Sequence, residues 1–207
     1  MKIDIARQPL VPAFMTLFAL AVAAMCAGIP VSDTSGAVRD ALPLLGGQLA
    51  RFQAAYPVWS KFAAGFMLLF TGMCAGRITI RYNLYTVGTC LPIPLYAIVA
   101  CGIATGGNYL AGFAASMLLA LATKNYCRAF CNGYGFDAIF RASLYLGLMP
   151  LVYAPALPLL LLLPLAVLLF RRTFREVVVA TAGLLLPTFT ACYVSWGSGA
   201  EFTAPLV

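Results

Sequence analysis

The chain of 207 residues contains no histidine and only six carboxylates, and charged residues make up 9% of it. Without histidine, a Ser-His or Cys-His nucleophile pair, an imidazole-bound haem and an HExxH zinc site are all excluded. Ordinary soluble domains carry about 25% charged residues, whereas 63% of this chain is apolar and its mean hydropathy is +0.95. These values predict an all-α helix bundle embedded in a membrane.

Seven cysteines and a net charge of +7 also indicate a membrane protein. The cysteines are odd in number, dispersed and mostly within apolar runs, so we expect small hydrophobic side chains and no disulfide framework. The basic residues lie singly or in pairs at the ends of apolar runs, which argues against binding to nucleic acid. We therefore expect membrane lipids, or a membrane-protein partner, as ligands, and no metal or cofactor.

Seven apolar segments approach the roughly 20 residues that a helix needs to cross a bilayer. The predicted spans are residues 10–31, 58–75, 84–105, 108–123, 139–153, 157–170 and 177–196. The first is longer than the apolar core of a signal peptide, and we expect it to be retained. Prolines inside the spans, such as Pro92, Pro94 and Pro187, predict kinked helices.

The distribution of Lys and Arg predicts the orientation of these spans. Ten of the thirteen fall on one side, and the other side holds only Arg39, Arg51 and Lys61. By the positive-inside rule, the N-terminus lies in the cytoplasm and the C-terminus outside. The predicted location is a bacterial inner membrane, crossed several times.

The first outer loop, residues 36–56, carries apolar residues at spacings of three and four, typical of an amphipathic helix on the outer leaflet. Pro43 and the Gly46-Gly47 pair are expected to break it, with the better helix after Gly47. Asp33 and Asp40 stand just outside the first span. The arrangement resembles polytopic glycosyltransferases that use lipid-phosphate sugar donors and have an acidic residue beside an interfacial helix in the first outer loop. The resemblance implies that Asp33 or Asp40 acts as a base or as a metal ligand. Alternatively, the two carboxylates serve as a helix cap and a surface pair.

Two basic segments are predicted on the cytoplasmic side. The loop 124–137 contains Lys124 and Arg128, and the turn after the sixth span contains Arg171, Arg172 and Arg175. Arg binds phosphate with two hydrogen bonds, so these residues could contact lipid headgroups, or they could only anchor the turns.

Three spacings in the sequence suggest local contacts. Cys127 and Cys131 are four residues apart, but no further ligands complete a zinc site. Asp137 and Arg141 have the spacing of a helical ion pair. Two Gly-xxx-Gly pairs, at 72 and 76 and at 102 and 106, predict close helix packing.

Four segments and Asn83 resemble an uncharacterised family of small multi-pass inner-membrane proteins found in Bacteroidota. The segments are 136–138 (Phe-Asp-Ala), 147–155 (Gly-Leu-Met-Pro-Leu-Val-Tyr-Ala-Pro), 171–176 (Arg-Arg-Thr-Phe-Arg-Glu) and 183–187 (Gly-Leu-Leu-Leu-Pro). The chain departs from the family at Pro150, where the family tends to have Ser, and at Val177, where it tends to have Trp. The resemblance implies an inner-membrane location and names no catalytic residue.

The sequence thus predicts an accessory protein of envelope biogenesis that binds lipid or a membrane partner, without a catalytic site of its own. A small lipid-linked glycosyltransferase, with Asp33 or Asp40 as its catalytic residue, is one alternative. The other is a transporter built from proline-kinked helices, although none of the carboxylates lies within an apolar run to carry an ion.

Overall fold

The computed structural model describes residues 10–26, 44–82, 90, 92–104, 108–131, 135–163, 173–199 and 201–202. Within these ranges the chain forms seven α-helices, one 3₁₀ helix and no strand, which confirms the all-α prediction. The α-helices are α1 (Leu10–Cys26), α2 (Leu44–Ala55), α3 (Pro57–Arg81), α4 (Pro92–Ala104), α5 (Tyr109–Cys131), α6 (Phe136–Val152) and α7 (Phe174–Gly197). The 3₁₀ helix, Ala154–Leu161, follows α6.

The helices form two compact units. Unit 1 comprises Met1–Ala37 and Leu49–Ala120, and unit 2 comprises Val38–Gln48 and Leu121–Val207. Helices α2 and α5 each contribute residues to both units.

The interior of unit 1 is formed where α1, α3 and α4 pack on one another with the start of α5. Its most deeply buried large side chains include Leu17, Leu68 and Phe113. Many of its other members are alanines, because small side chains let membrane helices approach closely. Two glycines of α3 serve the same purpose, since Gly72 lies against Leu17 and Gly76 against Ile93. The first predicted glycine pair is therefore confirmed as a packing site, while Gly106 lies outside the described residues.

The main contact of unit 2 is between α6 and α7. A methyl group on Gly147 would collide with the backbone carbonyl of Leu184, and one on Gly183 would lie 2.8 Å from the carbonyl oxygen of Phe140. The two helices therefore touch backbone to backbone at both glycines. Helix α7 begins with a capping box, in which the Thr173 N–H donates to Glu176 Oε2 over 3.2 Å.

Two predicted boundaries are wrong because polar residues were equated with loops. Helix α3 extends six residues beyond 75, so that Arg77 and Arg81 lie in its last turns. Helix α5 continues beyond 123 to Cys131, through the first half of the predicted cytoplasmic loop. Lys, Arg and Asn side chains can be solvated on a helix surface, so polarity alone does not end a helix.

The sixth predicted span, 157–170, begins differently from the prediction. Its first residues belong to the 3₁₀ helix, which contains Pro155 and Pro158. Each proline lacks an N–H, which weakens the α-helical hydrogen-bond pattern. Residues 164–170 lie outside the described ranges.

Two predicted helix breaks are also absent. Helix α2 begins at Leu44 and passes through Gly46 and Gly47 without interruption. Helix α4 begins at Pro92 and has Pro94 in its first turn, where a missing N–H costs no hydrogen bond, so these prolines do not kink it. The fifth and seventh predicted spans agree with α6 and α7 to within three residues at each end.

Among the described residues, α3 and α7 are long and apolar enough to cross a bilayer. Only 22% of the most apolar stretch of α7 is buried. The exposed side chains of this helix include Leu185, Phe189 and Val194. Because soluble proteins rarely expose so large an apolar face, this result favours association with a membrane.

Candidate functional site

The most distinctive surface of unit 1 is an open groove of about 540 Å³ lined almost entirely by aromatic rings. We call it the aromatic groove, and its lining residues are Phe52, Tyr56, Trp59, Phe62, Ala63 and Phe66. Trp59 and Phe66 are 68% and 67% exposed, so the fold leaves these apolar rings of the groove uncovered.

The groove exists because α2 and α3 meet at a single non-helical residue, Tyr56. The residue before a proline avoids the helical conformation, and Tyr56 has φ −132° and ψ 71° before Pro57. Hydrogen bonds nevertheless continue on both sides, since Tyr56 N–H donates to Phe52 O and Ser60 N–H donates to Tyr56 O, each over 2.9 Å. The aromatic residues of the two helices thereby join into one row.

Ring contacts run along this row at helical spacing. The ring centroids of Phe52 and Tyr56 are 5.6 Å apart, and those of Trp59 and Phe62 are 6.4 Å apart. Phe66 in turn stacks on Phe70 at 6.3 Å. Separations in this range are favourable for aromatic pairs. The row therefore consists of three successive aromatic pairs.

Polar contacts brace the junction between α2 and α3 against the first turn of α5. Gln53 Oε1 accepts a hydrogen bond from the backbone N–H of Leu110 over 3.4 Å. Ser60 Oγ donates to Pro57 O over 2.8 Å and lies 2.6 Å from the hydroxyl of Tyr109. Because the single Ser60 proton is already used, Tyr109 donates to Ser60. The brace holds the junction in place while the aromatic rings stay exposed.

Two cations flank the groove along the sequence. Arg51 is exposed on α2 next to Phe52, and Lys61 is half-buried on α3 next to Phe62. Such long side chains can pack their apolar stems against a surface while the charge stays in water. The described part of unit 1 contains no carboxylate, and its other cations are Arg77 and Arg81 at the far end of α3.

Several predicted site residues lie outside the described ranges, namely Asp33, Asp40, Arg171 and Arg172. Lys124 and Arg128 are exposed on the last turns of α5, and Arg175 is exposed in the first turn of α7.

The predicted pair of Asp137 and Arg141 is confirmed, with Arg141 Nε 2.9 Å from Asp137 Oδ1. Both side chains are well exposed, so the pair contributes little to stability. Cys127 is half-buried on α5, and the side chain of Cys131 is not described. Within the described ranges, His, Cys, Asp and Glu form no cluster that could hold a metal ion.

Sequence reasoning missed two polar contacts of unit 2. Glu176 is buried and forms a capping box with Thr173. The Thr-x-x-Glu spacing of these two residues is typical of a capping box and could have predicted it. The hydroxyl of Tyr126 lies 3.3 Å from Ser143 Oγ. Burial raises the pKa of Tyr126, and the hydrogen bond with Ser143 partly opposes this effect, so the phenol stays protonated at neutral pH.

A second hydroxyl cluster lies in unit 1. Tyr96 and Ser116 are 3.3 Å apart, and the buried Thr71 Oγ1 lies beside Tyr96 without completing a hydrogen bond. No sequence pattern pointed to this cluster, because hydroxyl residues are common in membrane helices.

Comparisons with known proteins do not identify a family: no family model, no curated protein and no solved structure matches the chain. The aromatic groove and its two cations are therefore interpreted from their own chemistry.

Proposed function

We propose that this chain is a multi-pass protein of a bacterial inner membrane that acts as an accessory protein of envelope biogenesis by binding lipid in the aromatic groove. The proposal keeps the seven predicted spans, with the N-terminus in the cytoplasm and the C-terminus outside. It also keeps the resemblance to the small inner-membrane proteins of Bacteroidota. The groove is the observation that carries the lipid-binding function.

The composition of the groove supports lipid rather than water as its neighbour. Phe62 and Phe66 are each more than half exposed on a helix that is long enough to span a bilayer. Trp59 and Tyr56, nearer the start of that helix, are the residue types enriched at the boundary between lipid and water. An acyl chain lying along Phe62 and Phe66 would cover the apolar surface that the fold leaves open.

The orientation is proposed from the positions of the cations. Arg77 and Arg81 end α3, and Lys124 and Arg128 lie near the end of α5. A cation in the last turn is favoured by the helix dipole and can reach a lipid headgroup. In the proposed topology these four residues all face the cytoplasm, as the positive-inside rule requires.

Lipid that co-purifies with the protein tests the function. The chain would be extracted from its membrane into native nanodiscs or a mild detergent, and its bound phospholipid measured by native mass spectrometry. We expect at least one tightly held phospholipid on the unmodified chain and its loss from the double variant Phe62→Ala, Phe66→Ala.

The matched control is the double variant Leu185→Ala, Phe189→Ala, which removes exposed apolar side chains from α7 instead. It should keep the bound lipid. A protein that carries no lipid but retains a stoichiometric membrane-protein partner would refute lipid binding and favour a partner-binding role.

A further inference from the structure

We infer that the end of α7 is a membrane-interface anchor, in which a tail that folds back on the helix completes a cluster of aromatic rings at the boundary between lipid and water. This C-terminal aromatic cluster consists of Phe189, Tyr193, Trp196 and Phe202. The inference rests on the part of the proposed function that makes α7 a membrane span, and it does not depend on lipid binding in the aromatic groove.

Three rings of the C-terminal aromatic cluster lie on one face of α7. Phe189, Tyr193 and Trp196 follow one another at spacings of four and three residues, which brings side chains to the same side of a helix. The ring centroids of Tyr193 and Trp196 are 6.1 Å apart. The three side chains are 60%, 59% and 61% exposed. Packing among the described residues therefore leaves this aromatic face uncovered.

The tail returns to the same helix after α7 ends. Gly199 has φ +86°, a left-handed conformation that glycine adopts without strain, and its N–H donates to a carbonyl of the last helical turn over 3.0 Å. Ser195 Oγ then donates to Glu201 O over 3.4 Å. The ring of Phe202 meets that of Phe189 edge-on, with their centroids 6.2 Å apart. The tail therefore adds a fourth ring to the cluster instead of leading away from the helix.

The length of the uncharged segment places Trp196 at the boundary of the hydrocarbon core. The sequence has no charged residue between Glu176 and Glu201. A helix crosses the roughly 30 Å core with about 20 residues, and such a segment counted from Val177 ends at Trp196. Tyr and Trp are enriched at this boundary because the ring lies in lipid while the O–H or N–H reaches water. The residue types of Tyr193 and Trp196 thus agree with the position that the helix length requires.

The folded-back tail carries Phe202 closer to the middle of the bilayer than Trp196. Phe189 precedes Trp196 by seven residues, which is about 10 Å along the helix axis at about 1.5 Å per residue. This distance exceeds the 6.2 Å that separates the rings of Phe189 and Phe202. Because Glu201 is exposed and a carboxylate is costly inside the core, the tail stays near the boundary. The partner that fits this surface is therefore the interfacial layer of a phospholipid bilayer.

Quenching of tryptophan by brominated lipids tests the position of the helix end. The chain contains two tryptophans, so Trp59→Phe leaves Trp196 as the only one. This variant would be reconstituted into phosphatidylcholine vesicles whose acyl chains carry bromine either near the headgroup or near the chain end. We expect Trp196 to lose more emission to the bromines near the headgroup.

A tryptophan in the tail tests the fold-back. Phe202→Trp combined with Trp59→Phe and Trp196→Phe leaves one tryptophan, at position 202. Relative to Trp196, its emission should be quenched more by the deep bromines, and iodide in the water on both sides of the vesicles should have little effect. A tail that continued straight into water would give the opposite result.

Two valine variants in this background show whether the turn at Gly199 holds the tail. Gly199→Val should expose the tryptophan at position 202 to iodide, because a β-branched residue is strained at positive φ. Gly197→Val is the matched control, since a Cβ atom at either glycine has no neighbour within 4 Å and Gly197 lies in the helix. The control should keep the lipid quenching of the parent variant.

The remaining outcomes refute the inference in distinguishable ways. Quenching of Trp196 mainly by deep bromines would leave α7 as a span but refute the boundary position. If neither lipid quenches Trp196 and iodide does, α7 does not end in a membrane, and its part in the proposed function fails as well. If neither lipid nor iodide quenches it, a protein surface covers the cluster. Iodide quenching at position 202 before Gly199 is changed, or no effect of Gly199→Val, would refute the fold-back, while lipid binding in the aromatic groove is judged separately by co-purification.

Discussion

Replacing Gly147 with leucine should destabilise the protein more than replacing Gly76 with alanine or Gly197 with leucine. A Cβ atom at this position would collide with the carbonyl oxygen of Leu184 and lie 3.1 and 3.2 Å from its carbonyl carbon and Cα. Favourable contacts between carbon atoms are at about 3.5–4.0 Å. All three atoms belong to the backbone of α7, so no side chain can rotate away and the helices must separate.

The magnitude follows from overpacking. Inserting methylene groups into a packed interface costs typically 1–3 kcal/mol, and a leucine adds three carbon atoms beyond Cβ. We therefore expect Gly147→Leu to lower the free energy of unfolding by about 3 kcal/mol, even after the gain of up to about 1 kcal/mol that replacing a helical glycine provides.

Unfolding of the purified protein in mixed micelles, titrated with SDS and followed by circular dichroism, measures this change. The matched control is Gly197→Leu, because a Cβ atom there has no neighbour within 4 Å. The control should unfold like the unmodified chain. Equal stability of Gly147→Leu and Gly197→Leu would show that α6 and α7 do not cross at this glycine.

Three further predictions test other parts of the structure. Gly76→Ala should cost about 1–2 kcal/mol in the same unfolding assay, because a Cβ atom there would lie 2.5 and 2.6 Å from Cδ1 and Cγ1 of Ile93, a fully buried β-branched side chain with little rotamer freedom; unchanged stability would contradict this packing. A double-mutant cycle of Ser60→Ala and Tyr109→Phe should give a coupling energy of about 0.6 kcal/mol, the average for hydrogen bonds between membrane helices, and at most about 1.7 kcal/mol; a coupling of zero would show that this hydrogen bond does not stabilise the junction. Asp33→Asn with Asp40→Asn should fully rescue the phenotype of a deletion strain if the protein is an accessory lipid binder, whereas failure to rescue by a variant that is present at normal levels would favour the glycosyltransferase alternative.

The sequence predicted the features that depend on local periodicity. The fifth and seventh predicted segments coincide with the helices α6 and α7, of which α7 is also long and apolar enough to cross a bilayer, and the four-residue spacing of Asp137 and Arg141 indicated their ion pair. The close approach at Gly72 and Gly76 was also predicted, because small residues four apart share one helix face.

Features that depend on which helices meet could not be predicted in the same way. Gly147 and Gly183 lie in segments noted for a family resemblance, but nothing in the sequence shows that each faces the backbone of the other helix. The same holds for polar contacts between helices. Nothing in the sequence shows that the side chain of Gln53 accepts a hydrogen bond from the first turn of α5.

The aromatic groove itself was divided between two predicted elements. Phe52 and Tyr56 belonged to an amphipathic outer helix, and Phe62 and Phe66 to the second span. The short junction at Pro57, which preserves the helical hydrogen bonds on both sides, joins them into one surface. The separation of α2 from α3 by only one residue was the missing information.

The most direct test of the membrane topology uses reporter fusions at both ends of the chain. An odd number of spans with a cytoplasmic N-terminus predicts that a fluorescent protein folds and fluoresces at the N-terminus, while alkaline phosphatase is active at the C-terminus and inactive after Arg81. Alkaline phosphatase activity after Arg81, or both chain ends in one compartment, would contradict the seven-span arrangement and the assignment of Arg51 and Lys61 to the outer side.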